Sequence, residues 1–158
     1  MRSIRVTTDV PYPPEPVYDF LDVMANHEPF TNHVLKDWEY FGPERGIGSK
    51  AKVTAKLGGR SELVEIEVIA AERPRTIVEQ NVGARGRRIA TGTYTLEPLP
   101  TGETRIAFEY AWQQAPLSER VAAPLVRAIL SSANQRALAR LAEQLPKSLG
   151  PAHTGPVS

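Results

Sequence analysis

Two long stretches of alternating polar and apolar residues, joined by a short turn, constrain the fold of this chain most strongly. Residues 88–97 and 105–113 place apolar or aromatic side chains at every second position, and residues 98–104 separate them. Period-two alternation is typical of β-strands that bury one face. A long segment with helical apolar periodicity follows and reaches almost to the end of the chain. The combination predicts an antiparallel sheet covered by one long C-terminal helix.

Five further segments have the strand pattern and extend the predicted sheet to seven strands. They are residues 4–10, 36–41, 50–57, 64–68 and 76–82. Gly58-Gly59 is a strong hairpin signal between the third and fourth strands. Lysines alternate along the third strand and glutamates along the fourth, so we expect outward Lys–Glu pairs across this hairpin. Those charges fix the register, because a slip of one residue would bury them.

Three helical segments complete the α+β pattern. Residues 15–23 predict a short amphipathic helix, and residues 26–33 predict a second short helix. The last segment begins after Pro116 and predicts an amphipathic helix of about 20 to 28 residues. Pro124 either kinks this helix or marks its first turn, and Pro146 with Gly150 is expected to end it.

Composition limits the class of protein. A length of 158 residues fits one domain, which we place at residues 1–147, followed by a disordered tail at 148–158. The formal net charge of +1 gives no field that would attract nucleic acid. The chain has no cysteine, no signal-peptide pattern and no apolar run long enough to span a bilayer. We therefore expect a cytoplasmic protein, whereas the sequence does not choose between a monomer and a homodimer.

The chain resembles the START-like (SRPBCC) helix-grip superfamily, in particular its bacterial polyketide cyclase/dehydrase and lipid-transport group. The resemblance rests on residues 14–21 (PEPVYDFL), 46–49 (GIGS), 92–98 (GTYTLEP), 124–125 (PL) and 137–141 (ALARL). It covers almost the whole chain. It implies the Bet v 1/START-like fold, in which a curved seven-stranded antiparallel sheet wraps around a long C-terminal helix, with two short helices after the first strand. Its members include carriers, receptors and enzymes, so the fold alone does not fix the chemistry.

If the sheet curves around the helix, one face of each strand looks into the interior. From the apolar alternation we assign to that face Val64, Ile66, Val68, Val78, Gln80, Val82, Arg88, Ala90, Gly92, Tyr94, Leu96, Ile106, Phe108, Tyr110 and Trp112. Small inward residues, namely Ala51, Ala90 and Gly92, are expected to leave room for a cavity. The resemblance also implies that Phe30, after Pro29, stands where the family often has a tryptophan; the nearest tryptophan here is Trp38.

These arguments predict a set of ligand-binding residues. The set is Phe30, Trp38, Val64, Ile66, Val78, Gln80, Arg88, Tyr94, Phe108, Tyr110, Trp112, Leu125 and Ile129. Arg88 either holds a ligand oxygen or points to water at the rim of the sheet. His27 and His33 flank the second short helix, where the resemblance places the cavity entrance, and each is either an acid/base group or a surface histidine. Tyr94, Arg88 and His27 are the candidate catalytic residues.

The first hypothesis is a binding protein for a small hydrophobic ligand, such as a lipid or a polyketide-like metabolite. The second is a cyclase/dehydratase-type enzyme that uses acid/base chemistry and enolate stabilisation in the same cavity. The third is a protein-interaction module with a solid interior. Neither a metal nor a nucleotide cofactor is expected, because the histidines lack the spacing of metal ligands and no phosphate-binding loop is present.

Overall fold

The computed structural model describes residues 1–152, so His153 to Ser158 of the predicted tail lie outside the described part. Seven strands form one antiparallel sheet in the order β1-β7-β6-β5-β4-β3-β2. Their bounds are β1 Ile4–Val10, β2 Leu35–Phe41, β3 Lys50–Leu57, β4 Arg60–Glu72, β5 Thr76–Gly83, β6 Arg88–Pro98 and β7 Thr104–Gln114. Within residues 1–152, four α-helices accompany the sheet: α1 Pro14–Leu21, α2 His27–Thr31, α3 Leu117–Val121 and α4 Ala123–Leu149. A 3₁₀ turn at Met24–Asn26 joins α1 to α2, and another at Ala84–Gly86 joins β5 to β6. The predicted fold class is confirmed.

The hairpin between β3 and β4 has the predicted turn and register. Gly58 and Gly59 both adopt positive φ, which an ordinary side chain would strain. Lys50 pairs with Glu67 and Lys52 with Glu65, and their charged ends lie 3.4 Å and 3.8 Å apart. These pairs are exposed, so they contribute little to stability and mainly keep the charges outside.

The two prolines of the C-terminal segment behave differently. The chain forms the short helix α3 first, and Pro124 lies in the first turn of α4, where its missing N–H costs nothing. Pro146 was expected to help end α4, but the helix continues to Leu149 because only one N–H is lost in its last turns. Gly150, with φ of 80°, ends the helix, and Leu149 still packs against the core.

The long helix divides into two parts. In its C-terminal half, Leu138, Leu141 and Leu145 are buried, and the helix packs against β1 and α2. In its N-terminal half the apolar stripe faces the sheet across open space, and Leu125 remains 64% exposed. The core is therefore solid at one end of the helix and hollow at the other.

Candidate functional site

A cavity of about 500 Å³ lies between the sheet and α4. Its walls come from the inward faces of β2 to β7, from α2 and α3, and from residues 125–138 of α4. One end is closed by buried side chains, including His27, Phe30 and Tyr94. The other end is bordered by exposed residues, including Arg60, Arg87 and Leu125. We call these the inner end and the mouth of the cavity. A mostly apolar recess of this size is typical of small-molecule sites.

Most of the residues predicted from the sequence to bind a ligand line this cavity. They are Phe30, Trp38, Val64, Ile66, Arg88, Tyr94, Phe108, Tyr110, Leu125 and Ile129. They come from several different elements of the sheet and the helices, so the wrapping of the sheet around α4 brings them together. Their contact with a ligand remains a prediction.

The prediction of which β5 residues face the interior is wrong. Val78 and Gln80 pair with Thr93 and Thr91 of β6, on the outer face of the sheet. The inward residues are instead Ile77, Glu79, Asn81 and Gly83, of which the last three line the cavity. Apolar alternation misled the assignment because a carboxylate and an amide occupy inward positions. Counting across the β4–β5 hairpin would not have corrected it, because β4 carries an extra residue between Val68 and Ala70.

Trp112 faces the interior, as predicted, but lies outside the cavity lining. It pairs with Ala90 at the inward face, and its ring meets the Tyr110 ring edge-on at 5.0 Å. The cavity volume also does not come from the predicted small residues. Ala51 and Ala90 are packed in the core, and a Cβ on Gly92 would lie 2.8 Å from the Phe108 ring. The Phe108 ring therefore occupies the space beside Gly92 and forms part of the cavity wall.

The inner end contains three ionisable side chains, His27, Glu79 and Tyr94, which we call the inner cluster. Nε2 of His27 lies 2.7 Å from the carbonyl oxygen of Leu21. Nδ1 of the same ring points at Oε2 of Glu79 over 3.6 Å, which is too long for a hydrogen bond. The imidazole meets the Tyr94 ring edge-on at 5.5 Å. The turn at residues 24–26 and the start of α2 place His27 over the inward residues of β5 and β6.

Burial shifts the pKa values of Glu79 and Tyr94 in the inner cluster. Loss of hydration raises the pKa of Glu79 above its usual value, and the nearby charge of His27 opposes this only in part. Burial also raises the pKa of Tyr94 well above its ordinary value, and the neighbouring Glu79 raises it further. Sequence reasoning chose His27 and Tyr94 but missed Glu79, since no local signal distinguishes it from the outward glutamates of β4.

Near the mouth, Arg88 is bound by two carboxylates, and we call Arg88, Glu62 and Glu119 the mouth cluster. Nε of Arg88 donates to Oε2 of Glu119 over 3.0 Å, and its two other nitrogens donate to the second oxygen of Glu119 and to Glu62. Burial alone would lower the pKa of Arg88, but these hydrogen bonds raise it. Gly83 makes room for the ion pair, because a Cβ there would lie 2.6 Å from Nη1 of Arg88.

The mouth cluster corrects one of the two interpretations of Arg88. Its side chain is only 16% exposed, so it does not simply point to water. Its donors are already directed at protein carboxylates, so it has little capacity left for a ligand oxygen. His33 does not line the cavity: its Nε2 lies 3.1 Å from the carbonyl of Ala133, and burial lowers its pKa.

Within residues 1–152, no three His, Asp or Glu side chains converge as potential metal ligands. No helix in this range is both long and apolar enough to cross a membrane.

The sheet, the long helix and the cavity between them define a helix-grip protein of the START type. A sequence model of the family described as "Polyketide cyclase / dehydrase and lipid transport" matches residues 1–146, and the chain belongs to this family. No curated protein matches the sequence at a significant level. The family and the fold fit a role in binding a hydrophobic ligand.

Solved structures show the same fold at low sequence identity. The protein TTHA0849 from Thermus thermophilus has a TM-score of 0.72 at 19% identity, over 93% of this chain and 99% of the other. A START superfamily protein from Mycobacterium smegmatis has a TM-score of 0.70 at 13% identity, over 92% and 98% of the two chains. The protein Ara h 8.0201 has a TM-score of 0.58 at 17% identity, over 89% and 97%.

Proposed function

We propose that this protein binds a small, mainly apolar molecule in the cavity between the sheet and α4. The observation that supports this most directly is the cavity of about 500 Å³ itself, whose walls are largely apolar. Removing apolar ligand surface from water contributes about 25 cal/mol per Å² before the entropic costs of association are subtracted. The third hypothesis, an interaction module with a solid interior, receives no support from a hollow core.

Native mass spectrometry of freshly purified protein, followed by solvent extraction, tests the proposal. A stoichiometric mass excess that extracts as an apolar molecule is the expected result. Two variants of α4 provide the matched comparison. Ala137→Phe places a ring into the cavity that Ala137 lines, whereas Ala139→Phe places the same ring on the exposed face two residues away. Loss of the bound molecule in the first variant alone supports the cavity as its site. Equal occupancy in both variants contradicts it.

A second candidate function is acid/base catalysis of the cyclase or dehydratase kind. The inner cluster favours it, because a carboxyl with a raised pKa lies beside a histidine and a buried tyrosine at the wall of a cavity. One such group can accept the proton that leaves the carbon beside a carbonyl, while another donates a hydrogen bond that stabilises the enolate oxygen. Tyr94→Phe separates the two functions: an enzyme loses turnover and keeps binding, whereas a carrier keeps binding and has no turnover to lose. Unchanged turnover in this variant would exclude Tyr94 as the proton donor.

A further inference from the structure

Gly92 lies in the middle of β6, on the inward face of the sheet. Glycine weakens the interior of a strand, and it often marks a place where another group must approach the backbone closely. Gly92 does not adopt positive φ, so its backbone conformation does not require glycine. A Cβ at this position would instead lie 2.8 Å from Cζ and 2.9 Å from Cε1 of Phe108. The ring that lies over Gly92 therefore explains why this position has no side chain.

The Phe108 ring leans across the sheet towards Gly92. Phe108 pairs with Tyr94 in the β6–β7 ladder, whereas the residue opposite Gly92 is Tyr110. The ring thus reaches a diagonal neighbour, which aromatic side chains are long enough to do. Side chains of a strand ordinarily stand roughly perpendicular to the sheet, and in that position this ring would project towards α4. Because the ring lies over Gly92 instead, the space above it belongs to the cavity, which Phe108 lines.

The neighbours of Phe108 restrict where its ring could move. The centroids of the Phe108 and Tyr94 rings are 4.7 Å apart, and Tyr94 is itself buried against His27. Nδ2 of Asn81 would lie 3.5 Å from a Cβ on Gly92, so the space along the sheet is filled as well. A side chain at residue 92 would therefore push the Phe108 ring away from the sheet and into the cavity.

We infer that Gly92 is a specificity-determining residue of the cavity, because it lets Phe108 lie against the sheet and so leaves room for apolar molecules broader than a single alkyl chain. This inference rests on the proposed function and specifies the shape class of its ligand, namely branched or ring-containing molecules. The helix wall agrees with it, since α4 contributes the small residues Ala133 and Ala137 to the lining. A linear chain needs no such clearance and would bind even if the Phe108 ring projected into the cavity.

Two ten-carbon alcohols of different breadth test this inference: 1-adamantanol, which is a cage, and 1-decanol, which is a linear chain. Isothermal titration calorimetry with the full chain gives the Kd of each. We expect both alcohols to bind the parent protein. In Gly92→Ala we expect 1-adamantanol to bind at least about tenfold more weakly, because added volume in a packed site is poorly tolerated. The Kd of 1-decanol should change by less than about threefold in the same variant.

Three further variants show whether the ring is responsible. Phe108→Leu in the Gly92→Ala background removes the ring and should restore the binding of 1-adamantanol. Phe108→Trp in the parent enlarges the ring without changing β6, and it should weaken 1-adamantanol selectively even if Gly92→Ala fails to fold. Ala111→Val is the matched control, since Ala111 pairs with Thr91 on the opposite face of the sheet, and it should change neither Kd.

The outcomes distinguish the inference from the function on which it rests. Equal weakening of both alcohols in Gly92→Ala, or weakening of neither, overturns the role of Gly92 in specificity. If Phe108→Leu does not restore the binding of 1-adamantanol, the loss has a cause other than the ring and the inference is also overturned. A parent protein that binds 1-decanol but not 1-adamantanol overturns the shape class and leaves a carrier of linear molecules. If neither alcohol binds the parent, the proposed function fails together with the inference.

Discussion

The two polar clusters of the cavity differ in how completely their members are satisfied. In the mouth cluster, one guanidinium is bound by two carboxylates through three hydrogen bonds. In the inner cluster, an acid faces a histidine across 3.6 Å and retains an oxygen without a partner among the described residues. The mouth cluster joins β4, β6 and α3 and is complete within the protein. The inner cluster is not complete among the described residues.

This difference distinguishes charged groups that stabilise the fold from buried polar groups whose partners the protein does not supply. A charged group whose hydrogen bonds are all made by the protein stabilises one arrangement of its elements. A buried group that lacks a partner lowers stability until something binds it, and such groups are concentrated at functional sites. On this argument Arg88, the most conspicuous polar residue of the predicted lining, mainly holds the wall together, and Glu79 is the more informative residue.

The largest expected effect comes from removing the centre of the mouth cluster. Arg88→Ala leaves Glu62 and Glu119 without their cation, and Glu119 has only 16% of its side chain exposed. We expect the free energy of unfolding, measured by urea denaturation, to fall by about 2–3 kcal/mol. The Glu62 side chain is 32% exposed, so the expected loss of stability lies at the lower end of the range for buried ion pairs.

Arg105→Ala is the matched control for Arg88→Ala. Arg105 also binds a carboxylate, that of Asp9, through two nitrogens, but both side chains are 43% exposed. Because exposed ion pairs contribute little to stability, its loss should lower the free energy of unfolding far less than the loss of Arg88. Equal costs for the two substitutions would show that the mouth cluster is no more structural than a surface ion pair.

A substitution in the inner cluster should raise, rather than lower, the free energy of unfolding, by an intermediate amount. The pKa of Glu79 is raised in the folded state, so between its usual value of 4.5 and that raised value the unfolded chain binds fewer protons. The contribution of Glu79 to the free energy of unfolding is therefore fully present below pH 4.5 and is lost as pH rises towards the folded pKa. Glu79→Gln removes this loss and should raise the free energy of unfolding by about 1 kcal/mol at neutral pH.

The pH profile distinguishes this explanation from a simple change in packing. The advantage of Glu79→Gln should shrink as the pH of the denaturation experiment falls towards the ordinary range of a glutamate. A constant advantage at every pH would indicate a change in packing, and a loss of stability at neutral pH would show that Glu79 is ionised and held by His27 in the folded protein.

The sequence predicted the fold well because the fold depends on repeated patterns. Alternation along β6 and β7, the Gly58-Gly59 turn and the periodicity of α4 each repeat a physical rule over many residues. The inner cluster could not be found in this way. Glu79 occupies a position where the pattern demands an apolar residue, and its partner His27 lies far earlier in the chain. Only the register of β5 against β6 places Glu79 opposite Gly92 on the inner face.

The same limit applies to Arg88. Its inward position followed correctly from the alternation along β6, but its partners lie on β4 and on α3, in segments that share no local pattern with it. Ion pairing across distant elements is set by tertiary packing, so from the sequence alone a ligand-binding role and a water-facing role were both consistent with this residue.

The smallest expected effect comes from removing one of the two carboxylates that bind Arg88 in the mouth cluster. Glu119→Gln removes one of two carboxylates around a single guanidinium, while the amide oxygen can still accept from Arg88 and Glu62 keeps its ion pair. We expect the free energy of unfolding to change by less than about 1 kcal/mol. A loss as large as that of Arg88→Ala would mean that Glu119 alone holds α3 against the sheet, and the cluster would then be a single ion pair with Glu62 as a bystander.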